Sequence, residues 1–290
     1  MKKRAFDCKH ACVASLVVSL LLMALVMLIK TGDSVLDSLL SLLITRASLS
    51  GSFFFLAKYL SLDIFSPKIK NAALTIPCLL VALNNLPFIA LIRGTASVAA
   101  PVGRIILLAT SCLAVAAYEE IAFRGVLFLS LCKSHRTKKG IFFSAVISSA
   151  VFGLFHLLNL IDGAGIGAVI MQIGYSFLIG GMCAVVLTAC GSIFPCIILH
   201  AIFNFCGGLV PTLGAGYETV WDAATIIITA ALAMICAAIL IIYLVRRGDE
   251  NINSFYLYLF LKLKTACLSA SRFFVSDITF RRSRSARYPE

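Results

Sequence analysis

Apolar residues in this chain come in long blocks, without the 2-residue alternation of a half-buried strand or the 3.6-residue period of an amphipathic helix. A helix needs roughly 20 consecutive apolar residues to cross the hydrocarbon core of a bilayer. Blocks of that size predict eight spans, at about 11–29, 35–57, 71–92, 105–132, 141–161, 165–190, 192–210 and 223–245. The predicted fold class is therefore all-α, a polytopic transmembrane helical bundle. Arg46 lies inside the second block and predicts a broken or partly interfacial helix there.

The polar positions fit the same picture. No lysine or arginine occurs between Lys139 and Arg246, a stretch no water-soluble fold could leave without basic residues. Hydrophobic residues make up 61% of the 290 positions and charged residues 13%, about half the charge a soluble surface of this size carries.

The net charge of +12 would point to nucleic acid in a soluble protein, but its placement points to topology. Basic residues cluster at Lys2, Lys3, Arg4 and Lys9, at Lys68 and Lys70, from Lys133 to Lys139, and after Arg246. Cytoplasmic loops of membrane proteins carry this excess. With the amino terminus inside, the patches at 68–70, 133–139 and 246–247 all fall on the cytoplasmic side, as do both termini. The loops from Asp162 to Gly165 and from Pro211 to Asp222 fall outside. Arg93 and Arg104 are the misfits of this assignment. The expected partners are the bilayer and a membrane-associated substrate, with no nucleic acid.

The chain divides into a transmembrane bundle, 1–245, and a basic tail, 246–290. In the tail, Ser254 to Lys264 reads as an interfacial segment and Arg281 to Arg287 as a disordered arginine–serine run. The first block is too long for a signal-peptide core and lacks a small-residue cleavage site, so a retained helix is expected. Eleven cysteines include no C-x-x-C pair and lie mostly inside the spans, where cysteine is usually a packing residue. Cys8 and Cys12 are weak candidates for acylation. No internal repeat of the transporter kind is visible.

Ionisable groups inside a bilayer are costly and generally serve a polar cavity. From residue 105 onward the predicted spans hold five: Glu119, Glu120, Arg124, His156 and His200. On an α-helix, Glu119 and Glu120 point about 100° apart. Glu120 and Arg124, four apart, share a face in the order that favours an ion pair. This spacing suggests Glu120 with Arg124 as a structural pair and Glu119 left for proton transfer; a wholly structural charge cluster is the alternative. His156 follows Phe152 and Gly153, and Gly153 would let another helix approach closely. His200 and Asn204 are four apart and can address one site. Each histidine alone could equally be a hydrogen-bonded packing residue.

Together, one carboxylate, two histidines and an asparagine on three spans are the groups that activate a water. Neutral imidazoles can hold a divalent metal, zinc above all, leaving a position for water whose proton a nearby glutamate takes. No H-E-x-x-H helix, G-x-S-x-G turn or intramembrane aspartate pair offers another hydrolytic route.

The three segments Glu119-Glu120-Ile-Ala-Phe-Arg124, Phe152-Gly-Leu-Phe-His156 and His200-Ala-Ile-Phe-Asn204 resemble the motifs of the CAAX protease and bacteriocin-processing (CPBP, or Abi) family of intramembrane proteases. The resemblance covers roughly 105–210. It implies an eight-helix core around a conical polar cavity and an intramembrane endopeptidase. Glu119 would be the general base, with His156 and His200 positioning water or binding zinc. Asn204 would polarise the scissile carbonyl, and Glu120 and Arg124 would support the site. Zinc use and a metal-free glutamate mechanism are both open within the family. Substrates would be membrane-associated peptides or proteins, some of them lipidated, with CAAX-type C-terminal processing or bacteriocin maturation and immunity as roles. The motif wording looks more like the bacterial branch, which implies a bacterial cytoplasmic membrane. Two other readings use the same residues: a non-catalytic scaffold or immunity protein, and a transporter with a buried proton relay.

Overall fold

The computed structural model describes residues 13–246, other than 23, 26–27, 29–30, 135–136, 162 and 217–222. Cys8 and Cys12, the segment 254–264 and the arginine–serine run lie outside the described residues.

The chain folds as an all-α bundle. Six helices among the described residues are long and apolar enough to span a membrane: Ser34–Tyr59, Val102–Lys133, Lys138–Leu160, Ile166–Cys190, Phe194–Leu213 and Ile227–Arg246. One of the eight expected spans differs. Within the block at 11–29 the described residues hold a helix, α1 (Val13–Leu22), which joins the next helix through Ser19 Oγ and Ser52 Oγ, 3.0 Å apart; residues 11–12, 23, 26–27 and 29 lie outside the described residues. The block at 71–92 is broken. A 3-10 turn (Ala72–Leu74) leads into α3 (Thr75–Leu83), and α4 (Phe88–Ile92) follows only after a turn. Asn84, Asn85 and Pro87 cause the break. A proline disfavours helical backbone in the residue before it, and both asparagine side chains bond away from the helix. Asn84 Nδ2 donates to Thr229 Oγ1 at 2.8 Å and Asn85 Nδ2 to the Phe203 carbonyl at 2.8 Å.

The second block is continuous, against the expectation that Arg46 would interrupt it. α2 (Ser34–Tyr59) is capped by Asp33, whose Oδ1 accepts from the Val35 and Leu36 backbone N–H groups at 3.0 Å each. Arg46 is accommodated by lying over the Tyr118 ring, 5.1 Å from its centroid. Arg104, a misfit of the charge assignment, is ion-paired with Asp33.

α5 (Val102–Glu119) runs parallel to α2, with Asp33 and Arg104 at one end and the Lys133 ammonium donating to the Leu60 carbonyl at the other, 3.1 Å away. Its continuation is not the α-helix expected. Glu120–Phe128 is π-helical, and α6 (Leu129–Ser134) resumes beyond it. α7 (Lys138–Phe155) ends in a 3-10 turn, His156–Leu160. α8 (Ile166–Cys190) turns into α9 (Phe194–Leu213) at Gly191, whose φ of +68° is the left-handed conformation that glycine adopts without strain. α10 (Ala223–Arg246) completes the bundle. A two-residue antiparallel bridge, Ser97–Val98 with Gly214–Ala215, ties the α4–α5 connection to the end of α9.

Backbone and side-chain ties bring the segment carrying Lys68 and Lys70 to the ends of α8 and α10. The Lys70 N–H bonds to the Cys190 carbonyl at 3.0 Å, the Ile193 N–H to the Ile64 carbonyl at 2.9 Å, and Asn71 Nδ2 reaches the Tyr243 hydroxyl at 3.5 Å. Small residues let the central helices meet closely. A Cβ on Gly153 of α7 would stand 2.9 Å from the Ile173 carbonyl of α8.

Candidate active site

The π-helical segment begins at the two glutamates. Each turn there closes one residue later than in an α-helix, a feature frequent at functional sites. Consecutive side chains consequently diverge less than α-helical geometry predicts. Both carboxylates reach one imidazole. Glu120 Oε1 lies 2.8 Å from His200 Nδ1, and Glu119 Oε2 lies 3.5 Å from His200 Nε2. The expectation that neighbouring glutamates serve different places is met at atomic scale only, since each takes a different nitrogen of the same ring.

The two glutamates differ in company. Glu120 is wholly excluded from solvent, and its Oε2 sits 3.4 Å from Nε of Arg124, which is equally buried. Nε also donates to the Gly180 carbonyl at 3.4 Å, while both terminal nitrogens of Arg124 are without hydrogen bonds. Its guanidinium carbon stands 4.2 Å from the centroid of the Phe152 ring. A desolvated cation over an aromatic face is stabilised by about 2 kcal/mol. Glu119 is 7% exposed, and its Oε2 faces His200 Nε2 without an arginine beside it. It is the less enclosed of the two carboxylates.

His156 opens the 3-10 turn at the end of α7, half-buried. Its Nδ1 is 3.0 Å from the Phe152 carbonyl. A carbonyl only accepts, so Nδ1 carries a proton and donates it to this bond. Asn204 lies one turn beyond His200 on α9, half-buried, and its amide has no hydrogen-bond partner among the described residues.

The structure thus joins Glu119, Glu120, Arg124 and His200 by direct contacts, and links His156 to them through Phe152. The Phe152 ring is 5.0 Å from the His156 ring and 5.8 Å from the His200 ring, centroid to centroid. It is 1% exposed and touches residues from all three motifs.

Three contributors escaped sequence reasoning. Phe152 stood in the second motif as a letter without a role. Asn85 had a signal, two asparagines before a proline in an apolar block, but its bond to the carbonyl just before Asn204 depends on tertiary structure. Ser148 Oγ donates to the Phe123 carbonyl inside the π-helical segment at 2.8 Å, and nothing in its sequence context marks it.

The donor set can be tested against a zinc ion. Among the described residues, one group of three potential ligands brings its atoms within 4.8 Å of one another, and that group is Glu120, Cys183 and Cys196. His200 Nδ1 is taken by Glu120 and its Nε2 faces Glu119 Oε2 at 3.5 Å, while His156 offers Nε2 alone. As arranged, Glu119, His156 and His200 do not fit a common zinc ion.

Residues 99–206 match the family model described as type II CAAX prenyl endopeptidase Rce1-like. That segment runs from just before α5 into α9 and holds all six motif residues. The match agrees with the resemblance read from the motifs, and the family is one of proteases. No curated protein and no solved structure matches the chain.

Proposed function

We propose that the Rce1-like domain at 99–206 is an intramembrane endopeptidase that hydrolyses peptide bonds of membrane-associated proteins through a water activated by Glu119. The observation that carries this reading is the asymmetry of the two carboxylates around His200. Glu120 is buried and committed to Arg124 and to Nδ1, whereas Glu119 is the partly accessible one, loosely apposed to Nε2.

The donation of His200 Nδ1–H to Glu120 fixes that tautomer and leaves Nε2 facing Glu119. The 3.5 Å gap between Nε2 and Glu119 Oε2 exceeds a direct hydrogen bond of ordinary length and suits a shared proton or water. Glu119 removes a proton from the attacking water as its oxygen bonds to the scissile carbonyl carbon. The carbonyl oxygen takes the negative charge and accepts a hydrogen bond from the Asn204 amide. His156 Nε2, unprotonated, accepts from the water and orients it. When the C–N bond breaks, the proton held between Glu119 and His200 passes to the leaving amine. Zinc held by His156 and His200 would act as a Lewis acid toward water if bound, but their placement does not favour it.

The family description supports, as the substrate class, membrane-held proteins with a CAAX-type C-terminus, prenylated ones among them. By the charge rule, the face bearing Lys68, Lys70 and Lys133 is cytoplasmic.

The test uses the full chain purified in detergent, with prenylated and unprenylated CAAX peptides and a peptide library as substrates. Cleavage by the wild type and none by Glu119→Gln of unchanged monodispersity supports the reading. Equal cleavage by both, or none by the wild type on any substrate, overturns it. Metal analysis of the same preparation reads the zinc expectation.

A further inference from the structure

The proposed hydrolysis leaves one buried cluster unused. Cys183 on α8 and Cys196 on α9 face each other across the Gly191 turn. Their sulfurs and one Glu120 carboxylate oxygen lie within 4.8 Å of one another. The three residues are 1%, 0% and 0% exposed. Glu120 Oε2 accepts no hydrogen bond although it is wholly buried. Its charged neighbour is Arg124 Nε, 3.4 Å away; a buried carboxylate oxygen without a hydrogen bond is unfavourable, and two thiols, the side chains that hold soft metals, lie beside it.

We propose that Glu120, Cys183 and Cys196 form a binding site for a divalent, thiophilic cation of the zinc class, separate from the catalytic histidines. Zinc binds thiolate sulfur at about 2.3 Å and carboxylate oxygen at about 2.0–2.2 Å. Ligand atoms around it therefore stand some 3–4 Å apart, and a group already within 4.8 Å closes onto an ion through small side-chain rotations.

Charge selects the oxidation state. Without the ion, Glu120 and Arg124 cancel and both thiols are neutral. A divalent ion enters as two thiol protons leave, so the buried site stays neutral. A monovalent ion with two thiolates would leave a net negative charge in the bundle interior, which burial opposes. The competing state is two packing thiols. Cys196 Sγ donates to the Cys183 carbonyl at 3.2 Å, and Cys183 Sγ to the Cys196 carbonyl at 3.9 Å. Both are weak bonds of polarisable donors, and little is lost when they are given up.

The ion would sit behind the reaction centre rather than in it. It would hold Glu120, whose other oxygen holds His200 Nδ1, and so act by positioning.

The experiment is metal analysis of the full chain, purified in detergent from cells grown with added zinc and, separately, with added cobalt. About one ion per chain is expected, with an intense thiolate-to-cobalt charge-transfer band in the near ultraviolet. Cys183→Ser and Cys196→Ser are each expected to lower the bound metal by about tenfold or more. His156→Ala and His200→Ala should leave both metal and band in place. Should the cysteine variants aggregate, the cobalt spectra of the wild type and of Cys78→Ser decide together: a histidine–carboxylate site gives no thiolate band, and a band from the Cys78–Cys236 pair, whose sulfurs lie 3.7 Å apart, would be lost in that variant. A wild type free of divalent metal, a cobalt protein without the band, or metal that follows the histidines overturns the proposal. None of these readouts uses peptide cleavage, so the outcome is independent of whether the chain proves to be a protease.

Discussion

The Arg124 guanidinium carbon lies 4.2 Å from the centre of the Phe152 ring, so the first and second motifs meet at a cation over an aromatic face. The centroid of the same ring stands 5.0 and 5.8 Å from those of His156 and His200, nearly perpendicular to each. One apolar side chain therefore fixes the relative positions of three ionisable ones. Phe152→Leu keeps an apolar group but removes the ring face, at an expected cost of about 2 kcal/mol for the desolvated cation. Loosening both histidines should lower cleavage by about tenfold or more. Peptide turnover and thermal unfolding in detergent measure the two effects. Unchanged turnover would mean that the ring is filler.

Gly180 accepts from Arg124 Nε and leaves room for its guanidinium. A Cβ there would stand 2.5 Å from one terminal nitrogen and 3.0 Å from the Ser149 side chain. A lone arginine could swing away at an exposed site, but here it is locked between Glu120 and Phe152. Gly180→Ala is expected to displace Arg124 and destabilise the bundle by about 1–3 kcal/mol, as overpacking does. Gly174→Ala on the same helix, where a Cβ meets nothing within 4 Å, should be near neutral. Thermal unfolding of the pair, side by side, reads the difference.

How much of this was legible beforehand depended on whether a feature is local. The six long helices follow from block length, because a helix in lipid satisfies its own backbone. The Glu120–Arg124 pair follows from a four-residue spacing, which still meets across a π-helical turn. The π-helix itself was not legible: Glu120–Phe128 reads as ordinary apolar helix, and its widened backbone is supported from outside by Ser148. The sharing of His200 by both glutamates was missed for the same reason. The block at 71–92 failed as a single span because Pro87 and two asparagines outweighed its hydropathy, and their partners, Thr229 and Phe203, are more than 100 residues away in sequence.

Asn85 makes a prediction at one remove from the chemistry. It is 9% exposed, and its amide holds the Phe203 carbonyl beside Asn204. Asn85→Ala removes a bond worth about 1 kcal/mol and frees the stretch of α9 that carries Asn204. A positioning role predicts a lower kcat with KM little changed, because the carbonyl is polarised most in the transition state. A merely structural role predicts lower stability with kcat intact. Steady-state kinetics alongside unfolding midpoints separate the two.

Asp33 and Arg104 are ion-paired at the opposite face from the basic patches, with side chains 31% and 42% exposed. Solvent screens such a pair, so Arg104→Ala should change stability by no more than about 1 kcal/mol. Asp33 also caps α2 through two backbone N–H groups. Asp33→Ala should therefore cost more, about 1 kcal/mol from the lost cap added to the pair. Equal effects from the two variants would show that the cap contributes nothing in the folded chain.

Glu119 and Glu120 are adjacent and chemically identical, so replacing each by glutamine is the sharpest test of their different settings. Glu119→Gln keeps the shape and removes the base; cleavage should fall by about a hundredfold or more, with the unfolding temperature unchanged. Glu120→Gln leaves Arg124 as an uncompensated charge inside the bundle, and removal of one partner from a buried pair costs about 3–5 kcal/mol. It also replaces the carboxylate that holds His200 Nδ1, so activity should fall together with stability. Arg124→Met added to Glu120→Gln removes the stranded charge, and should recover stability without recovering cleavage, since a neutral amide oxygen holds His200 Nδ1 more weakly than the carboxylate does. If Glu119→Gln proved the less stable of the two single variants, the roles assigned to the two carboxylates would have to be exchanged.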